Sequence, residues 1–113
     1  MSIIAAYNDA WDNGDVDALA DILHDEFVFN PHIGGFTMGK SDALEFAGTG
    51  AVTSEGNRIL FENGEVGVSH SVVHFANGST SEAVLSFMQF KDGKIVSVET
   101  GATPLSDDYR FVG

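Results

Sequence analysis

The apolar residues follow two different periods along the chain, and the period changes near its middle. In the first part Ile3, Ile4, Tyr7, Ala10 and Trp11 recur at helical spacing, and Ser2 stands where an N-cap belongs. Asn13-Gly14 closes this segment, with Gly14 suited to the left-handed position that follows a helix. Asp15 then caps a second helix whose stripe is Val16, Leu19, Ile22 and Leu23, and Asp15 and Asp17 complement the positive end of its dipole. Phe27 to Asn30 reads as a short strand stopped by Pro31, and His32 to Gly39 as a loop. Ser41 caps a short third helix, Asp42 to Ala47, which Gly48 ends.

Beyond a loop rich in Gly, Ser and Thr the period falls to that of strands. The dipeptides Asn63-Gly64, Asn77-Gly78 and Asp92-Gly93 separate runs rich in Val, Ile, Phe and Thr. Such dipeptides are strong hairpin signals, because both central residues of a type I′ turn need positive φ. The reading is strands near 58–62, 65–75, 80–90 and 94–103, joined as an antiparallel meander. Helices followed by a meander make an α+β fold, with about three N-terminal helices packed on one face of the sheet. The domain is single, residues 1–113, with an irregular tail from 104 to 113.

Opposed residues of an antiparallel pair share a face, so the turns predict the faces. Two-residue loops at Asn77-Gly78 and Asp92-Gly93 set His70 opposite Leu85, Val72 opposite Ala83, and Phe87 opposite Val98. One face then holds Val66, Val68, His70, Val72, His74, Ala83, Leu85, Phe87, Val96, Val98, Thr100 and Ala102. The other holds Ser69, Ser71, Val73, Phe75, Glu82, Val84, Ser86, Met88 and Phe90. The first is more continuously apolar and is assigned to the helices. The half-apolar second face suggests contact with another subunit. A bulge at either turn would shift the register by one and exchange the faces.

The chain carries 4 His, and two of them, His70 and His74, stand four apart in one predicted strand. Strand geometry separates them by about 13 Å. One metal ion cannot bind both, because Zn–N distances are only about 2 Å. No metal site is expected. Two imidazoles directed at the helices imply a polar-lined pocket in place of a filled core.

Charge and composition narrow the partners. The net charge of −12, from 17 Asp plus Glu against 5 Lys plus Arg, argues against nucleic acid and anionic membrane. Much of it is early, at Asp9, Asp12, Asp15, Asp17, Asp21, Asp25 and Glu26, as the solvated face of two helices. With 0 Cys there is no disulfide framework and no thiol nucleophile. The N-terminus lacks the basic and apolar stretches of a secretory signal, and nothing approaches a membrane span, so a cytoplasmic protein is expected.

The order of elements, and the residues that mark it, resemble a known superfamily. The marks are Tyr7 to Asp15 (YNDAWDNGD), Val16–Leu23, His24 to Pro31 (HDEFVFNP), Gly39-Lys40, and Phe90 to Val96 (FKDGKIV). The chain resembles the nuclear transport factor 2-like superfamily, and within it the SnoaL-like and ketosteroid isomerase-like proteins. That resemblance implies a curved sheet wrapped with helices into a cone, an internal cavity, and dimerisation through the outer sheet face. For ketosteroid isomerase it implies a tyrosine donor, an aspartate base and a protonated aspartate. The tyrosine matches Tyr7 and the base position falls on Asn30. The second acid falls on Phe87, or on Ser86 with a bulge. Standard ketosteroid isomerase chemistry therefore lacks two of its three groups. The carboxylate of related epoxide hydrolases falls on Thr100.

Two functions remain open. One is an isomerase- or cyclase-like enzyme acting on a small apolar or amphipathic molecule without a cofactor. In it His70, His74 or His32 moves the proton and Tyr7 donates to a carbonyl or oxyanion. Trp11, Asn30, His32, Val72, Leu85, Phe87, Val98 and Thr100 would shape the pocket. The other is a non-catalytic dimeric module that binds a ligand or another protein. His24, at the predicted end of the second helix, is assigned to that helix's dipole.

Overall fold

The computed structural model describes residues 2–108. Three helices, α1 (Ile3–Asp12), α2 (Val16–Ile22) and α3 (Lys40–Gly48), pack on one face of a curved sheet. The strands are β1 (Leu23–Asn30), β2 (Met38–Gly39), β3 (Val52–Glu62), β4 (Val66–Phe75), β5 (Glu82–Lys91) and β6 (Lys94–Pro104). They lie in the order β2-β1-β6-β5-β4-β3. Every pairing is antiparallel except β1 with β6, which is parallel. The α+β class and the meander agree with the sequence, but β1 closes the sheet on β6 and makes it mixed. The last residues of the expected tail, 109–113, lie outside the described residues.

The helix caps follow the local sequence. Ser2 Oγ accepts from Ala5 N at 3.0 Å, and Asp15 Oδ1 accepts from Ala18 N at 3.1 Å. One contact was not legible locally. Glu62, at the end of β3, accepts from Ser2 Oγ at 2.7 Å and from the backbone N–H groups of Ile3 and Ile4. A carboxylate there satisfies orphan donors and complements the helix dipole, so it ties α1 to the sheet. Helix α3 begins at Lys40 after Gly39, without a side-chain cap, where Ser41 was the expected cap.

Packing at this end is close. Ile4, Leu19, Leu23 and Ile95 are fully buried, and Met88, Phe90 and Val98 join them. Gly67 is what lets α1 approach: a Cβ built there would meet Ile4 Cδ1 at 2.7 Å. A side chain there would have to displace the Ile4 or the Phe90 side chain.

The register decides which side chains meet the helices. Between β4 and β5 it is as the sequence predicts, with His70 opposite Leu85 and Val72 opposite Ala83. Between β5 and β6 it is shifted. Asp92 and Gly93 form the two-residue turn with φ of 56° and 75°, but Gln89 pairs with Ser97 while Phe90 pairs with Ile95. Val96 is the extra residue of a β-bulge. Beyond it Met88, Ser86 and Val84 share a face with Val98, Thr100 and Ala102.

The face exchange covers β4, β5 and the start of β6. On β6 Val98, Thr100 and Ala102 face inward as predicted, but Val96, also predicted inward, is the bulge residue, and Ile95 takes the core position instead. On β4 and β5 the set with Ser69, Ser71, Val73, Ser86 and Met88 is inward, and His70, His74, Val72, Leu85 and Phe87 are outward. The physical reason is that Phe90 and Ile95 both enter the packed core, and only a bulge lets Ile95 and Val98, three apart, both point inward.

Candidate functional site

Between the end of α1, α3 and the sheet the inner face is not filled. A cavity of about 430 Å³ remains. Its walls are Trp11 and Phe46 from the helices, Pro31, Ile33 and Phe36 from the loop after β1, and Phe29, Met38, Val73, Phe75, Val84, Met88, Val98 and Ala102 from the strands. Tyr7 and the hydroxyls of Ser69, Ser71, Ser86 and Thr100 supply polar groups, and Asp12 and Glu82 supply carboxylates. Among the described lining residues there is no Lys, Arg or His.

Tyr7 and Trp11 lie one helical turn apart on α1, so they face the sheet side by side. Their rings meet edge to face at 6.2 Å, and Trp11 meets Phe46 of α3 at 5.9 Å in the same manner. Tyr7 is buried, and that burial pushes its hydroxyl well above the usual tyrosine pKa, tempered by the neighbouring Trp11 indole. The phenol therefore remains a neutral donor at any ordinary pH. Trp11 Nε1 is buried and completes no hydrogen bond.

Asp12, at the last turn of α1, is held by Ser54 on β3, whose N–H and Oγ donate to Oδ1 at 2.8 and 2.9 Å. Glu82 opens β5 opposite Val73. The loop after Pro31 hangs over the opening with Ile33 66% and Phe36 53% exposed. It is pinned from outside, where Asn30 Oδ1 accepts from the His32 N–H at 2.9 Å and His32 Nε2 meets Glu99 Oε1 at 3.1 Å.

Of the residues singled out from the sequence, Tyr7, Trp11, Val98 and Thr100 line the cavity. Asn30, His32, Val72, Leu85, Phe87, His70 and His74 do not. The expected inward histidines are corrected: His74 is on the outer face, with Ser81 Oγ at 2.6 Å from Nδ1 and Glu55 Oε1 at 2.6 Å from Nε2. His70 lies in the outer row between Arg58 and Leu85. Leu85 is 50% exposed, which a pocket residue would not be. Val72 is buried, but on the outer side between Glu55 and Ala83. His24 belongs to β1, not to a helix end, and stands 3.6 Å from Asp92 Oδ2.

Sequence reasoning placed Ser69, Ser71 and Ser86 on the outer face and missed Asp12 and Glu82. The signal that could have reversed this is polarity itself: serines alternating along two paired strands are as consistent with a cavity floor as with a solvated face. Among the described residues no group of three His, Asp or Glu side chains could hold a metal ion. No described helix is long and apolar enough to cross a membrane.

Comparison with known proteins agrees with this architecture. The fold is that of an NTF2-like protein of unknown function from Cytophaga hutchinsonii, at 17% identity over 90% of this chain and 88% of that one, TM-score 0.77. A presumed ketosteroid isomerase from Kribbella flavida is similar at 14% identity, covering 96% and 80%, TM-score 0.74. So is a presumed polyketide cyclase from Sinorhizobium meliloti, at 20% identity, covering 88% and 93%, TM-score 0.69. No curated protein matches in sequence. Residues 4–98 match the SnoaL-like domain, and the chain belongs to that family, within the nuclear transport factor 2-like fold.

Proposed function

We propose that the chain binds a small, mostly apolar molecule in the cavity beneath α1. The observation that carries this reading is the unfilled apolar space of about 430 Å³ beside a core that is otherwise closely packed. Apolar walls with a few convergent polar groups are the usual form of a small-molecule site. Trp11 is the sole tryptophan and lines the cavity, so its fluorescence reports occupancy. Titration with the neutral probe N-phenyl-1-naphthylamine should quench Trp11 saturably, with one site per chain. Val84→Trp, which fills the space from the floor, should abolish that binding. Equal binding by the filled variant, or none by the wild type, overturns the reading.

An isomerase- or cyclase-like activity is the second reading, supported by Tyr7 and Glu82 lining one cavity and by the presumed isomerase and cyclase among the similar structures. The proton carrier in this reading is a carboxylate, because no histidine lines the space. The Tyr7 hydroxyl would donate to a substrate carbonyl while Glu82 accepts a proton from the adjacent carbon, and a low-dielectric site strengthens both contacts. Deuterium exchange at the α-carbon of a bound ketone, followed by NMR, tests it. Exchange that persists unchanged in Glu82→Gln removes Glu82 from the role, and no exchange at all leaves a binding module. A homodimer through the outer face, where Phe61, Leu85 and Phe87 are exposed, belongs to the same proposal.

A further inference from the structure

Two carboxylates meet at one level of the cavity. Ser54 of β3 pairs with Val73 of β4, and Val73 pairs with Glu82 of β5, so the three form one row across the inner face. Neighbouring strands lie about 4.8 Å apart, which sets Ser54 and Glu82 roughly 10 Å from each other. Asp12 reaches the row from α1, with Ser54 N and Oγ donating to its Oδ1 at 2.8 and 2.9 Å. Asp12 and Glu82 thus approach Val73 from opposite sides, and both line the cavity. Along β5 the core begins only at Met88. The pair therefore lies at the end of the cavity remote from the core.

Neither carboxylate has a cation. Among the described residues Lys40 pairs with Asp25, Lys91 with Glu26, His24 with Asp92, His32 with Glu99 and His74 with Glu55. Lys94 donates to the Asp21 carbonyl, and Arg58 stands in the outer row opposite His70. Ser54 satisfies oxygens of Asp12 without neutralising its charge. Glu82 is half-buried and makes no hydrogen bond or ion pair to a described residue.

Two like charges brought to one apolar space repel each other, and a positive charge between them relieves this. Aromatic rings adjoin the row: Trp11 precedes Asp12 on α1, and Phe75 follows Val73 on the same strand face. Such faces attract an ammonium group within about 6 Å. Among the described residues no group of three His, Asp or Glu side chains could hold a metal ion, so the cation that fits is an organic one. The net charge of −12 draws cations toward the chain as a whole.

We infer that the guest is an amphipathic cation, with its ammonium group between Asp12 and Glu82 and its apolar body directed along Val84 and Met88 toward the core. This rests on the cavity being a small-molecule site, as proposed above.

Three compounds with one naphthalene body separate the terms: 2-naphthylmethylammonium, 2-naphthylmethanol and 2-naphthylacetate. Calorimetric titration at neutral pH measures each against the wild type, Glu82→Gln, the double variant Asp12→Asn/Glu82→Gln, and Asp17→Asn. The last removes an exposed charge of α2 that lies outside the cavity lining. At a half-exposed site each carboxylate is worth about a 3- to 10-fold change in affinity. The wild type should bind the ammonium compound tighter than the alcohol by at least that factor, with the acetate weakest. Glu82→Gln should reduce the gain and the double variant erase it, while Asp17→Asn keeps it in full. The alcohol should bind every variant within about twofold of the wild type, since it carries no charge to lose, which also shows that each is folded. Should the double variant fail to fold, Glu82→Gln alone reads the partial loss.

Equal affinity of the wild type for the ammonium compound and the alcohol overturns the cation as guest. A gain that survives the double variant, or that falls as far in Asp17→Asn as in Glu82→Gln, overturns the pair as its site, because the field of the whole chain then accounts for it. Binding of none of the three overturns the cavity reading itself, and this inference with it.

Discussion

Strand β4 passes from a packed region to an empty one within a few residues of a single face. At one end Gly67 receives Ile4 of α1 so closely that a single methyl group would collide. At the other, Ser69, Ser71, Val73 and Phe75 border open space. The neighbouring strand repeats the gradient, from Phe90 and Met88 in the core to Ser86, Val84 and Glu82 around the cavity. The difference lies in how far the helices lie from the floor. Glu62 and Gly67 hold the start of α1 close against the sheet, while its end is joined to α3 by the Trp11–Phe46 contact and to β3 by the Asp12–Ser54 bonds, with the cavity between these and the floor. The packed core is concentrated at the first end and the open space at the second.

Substitutions can break this contrast. The largest effect is expected from Gly67→Val, which overpacks the Ile4 contact and should cost about 1–3 kcal/mol or more in a denaturant titration. Ser71→Val, four positions along the same face, should leave the unfolding midpoint nearly unchanged while altering probe affinity. Similar destabilisation by both would show that the two ends are one packed unit. Glu62→Ala comes next, at about 1–2 kcal/mol, because it orphans the α1 N-terminus; an unchanged thermal midpoint would contradict the tie between helix and sheet.

The Tyr7 prediction concerns pH. Its pKa is raised in the folded state by burial, so the neutral phenol favours folding. That contribution is intact below the unfolded value of about 10 and is lost as pH rises above it. In alkaline melting curves Tyr7→Phe should lose stability less steeply than the wild type above about pH 10; parallel curves would place Tyr7 in contact with water. The smallest effect is expected on the outer face. His70→Ala and His74→Ala should leave probe affinity within about twofold, and a larger loss would bring the histidines back to the site.

Much of this was legible along the chain. Ser2 and Asp15 capped the helices they were read to cap, and Asp92-Gly93 made its two-residue turn. Tyr7, Trp11, Val98 and Thr100, four of the residues singled out in the sequence, line the cavity. What failed was the face of β4 and β5, judged by apolar continuity. His70 and His74 looked inward because Val66, Val68 and Val72 share their parity, whereas the outer face carries those valines together with Leu85 and Phe87. Period-2 patterning has two solutions that differ by one residue, and where both faces are half apolar it does not choose between them.

By itself the sequence determined the helices, the meander and the family, because caps, turn dipeptides and periodicity act between residues close in the chain. Tertiary structure alone decided the parallel closure of β1 on β6, the bulge at Val96, the Glu62 clasp and the inward face. Each of these depends on which distant groups can be buried together, as Ile95 with Phe90 and Gly67 with Ile4, and local propensity carries no record of that.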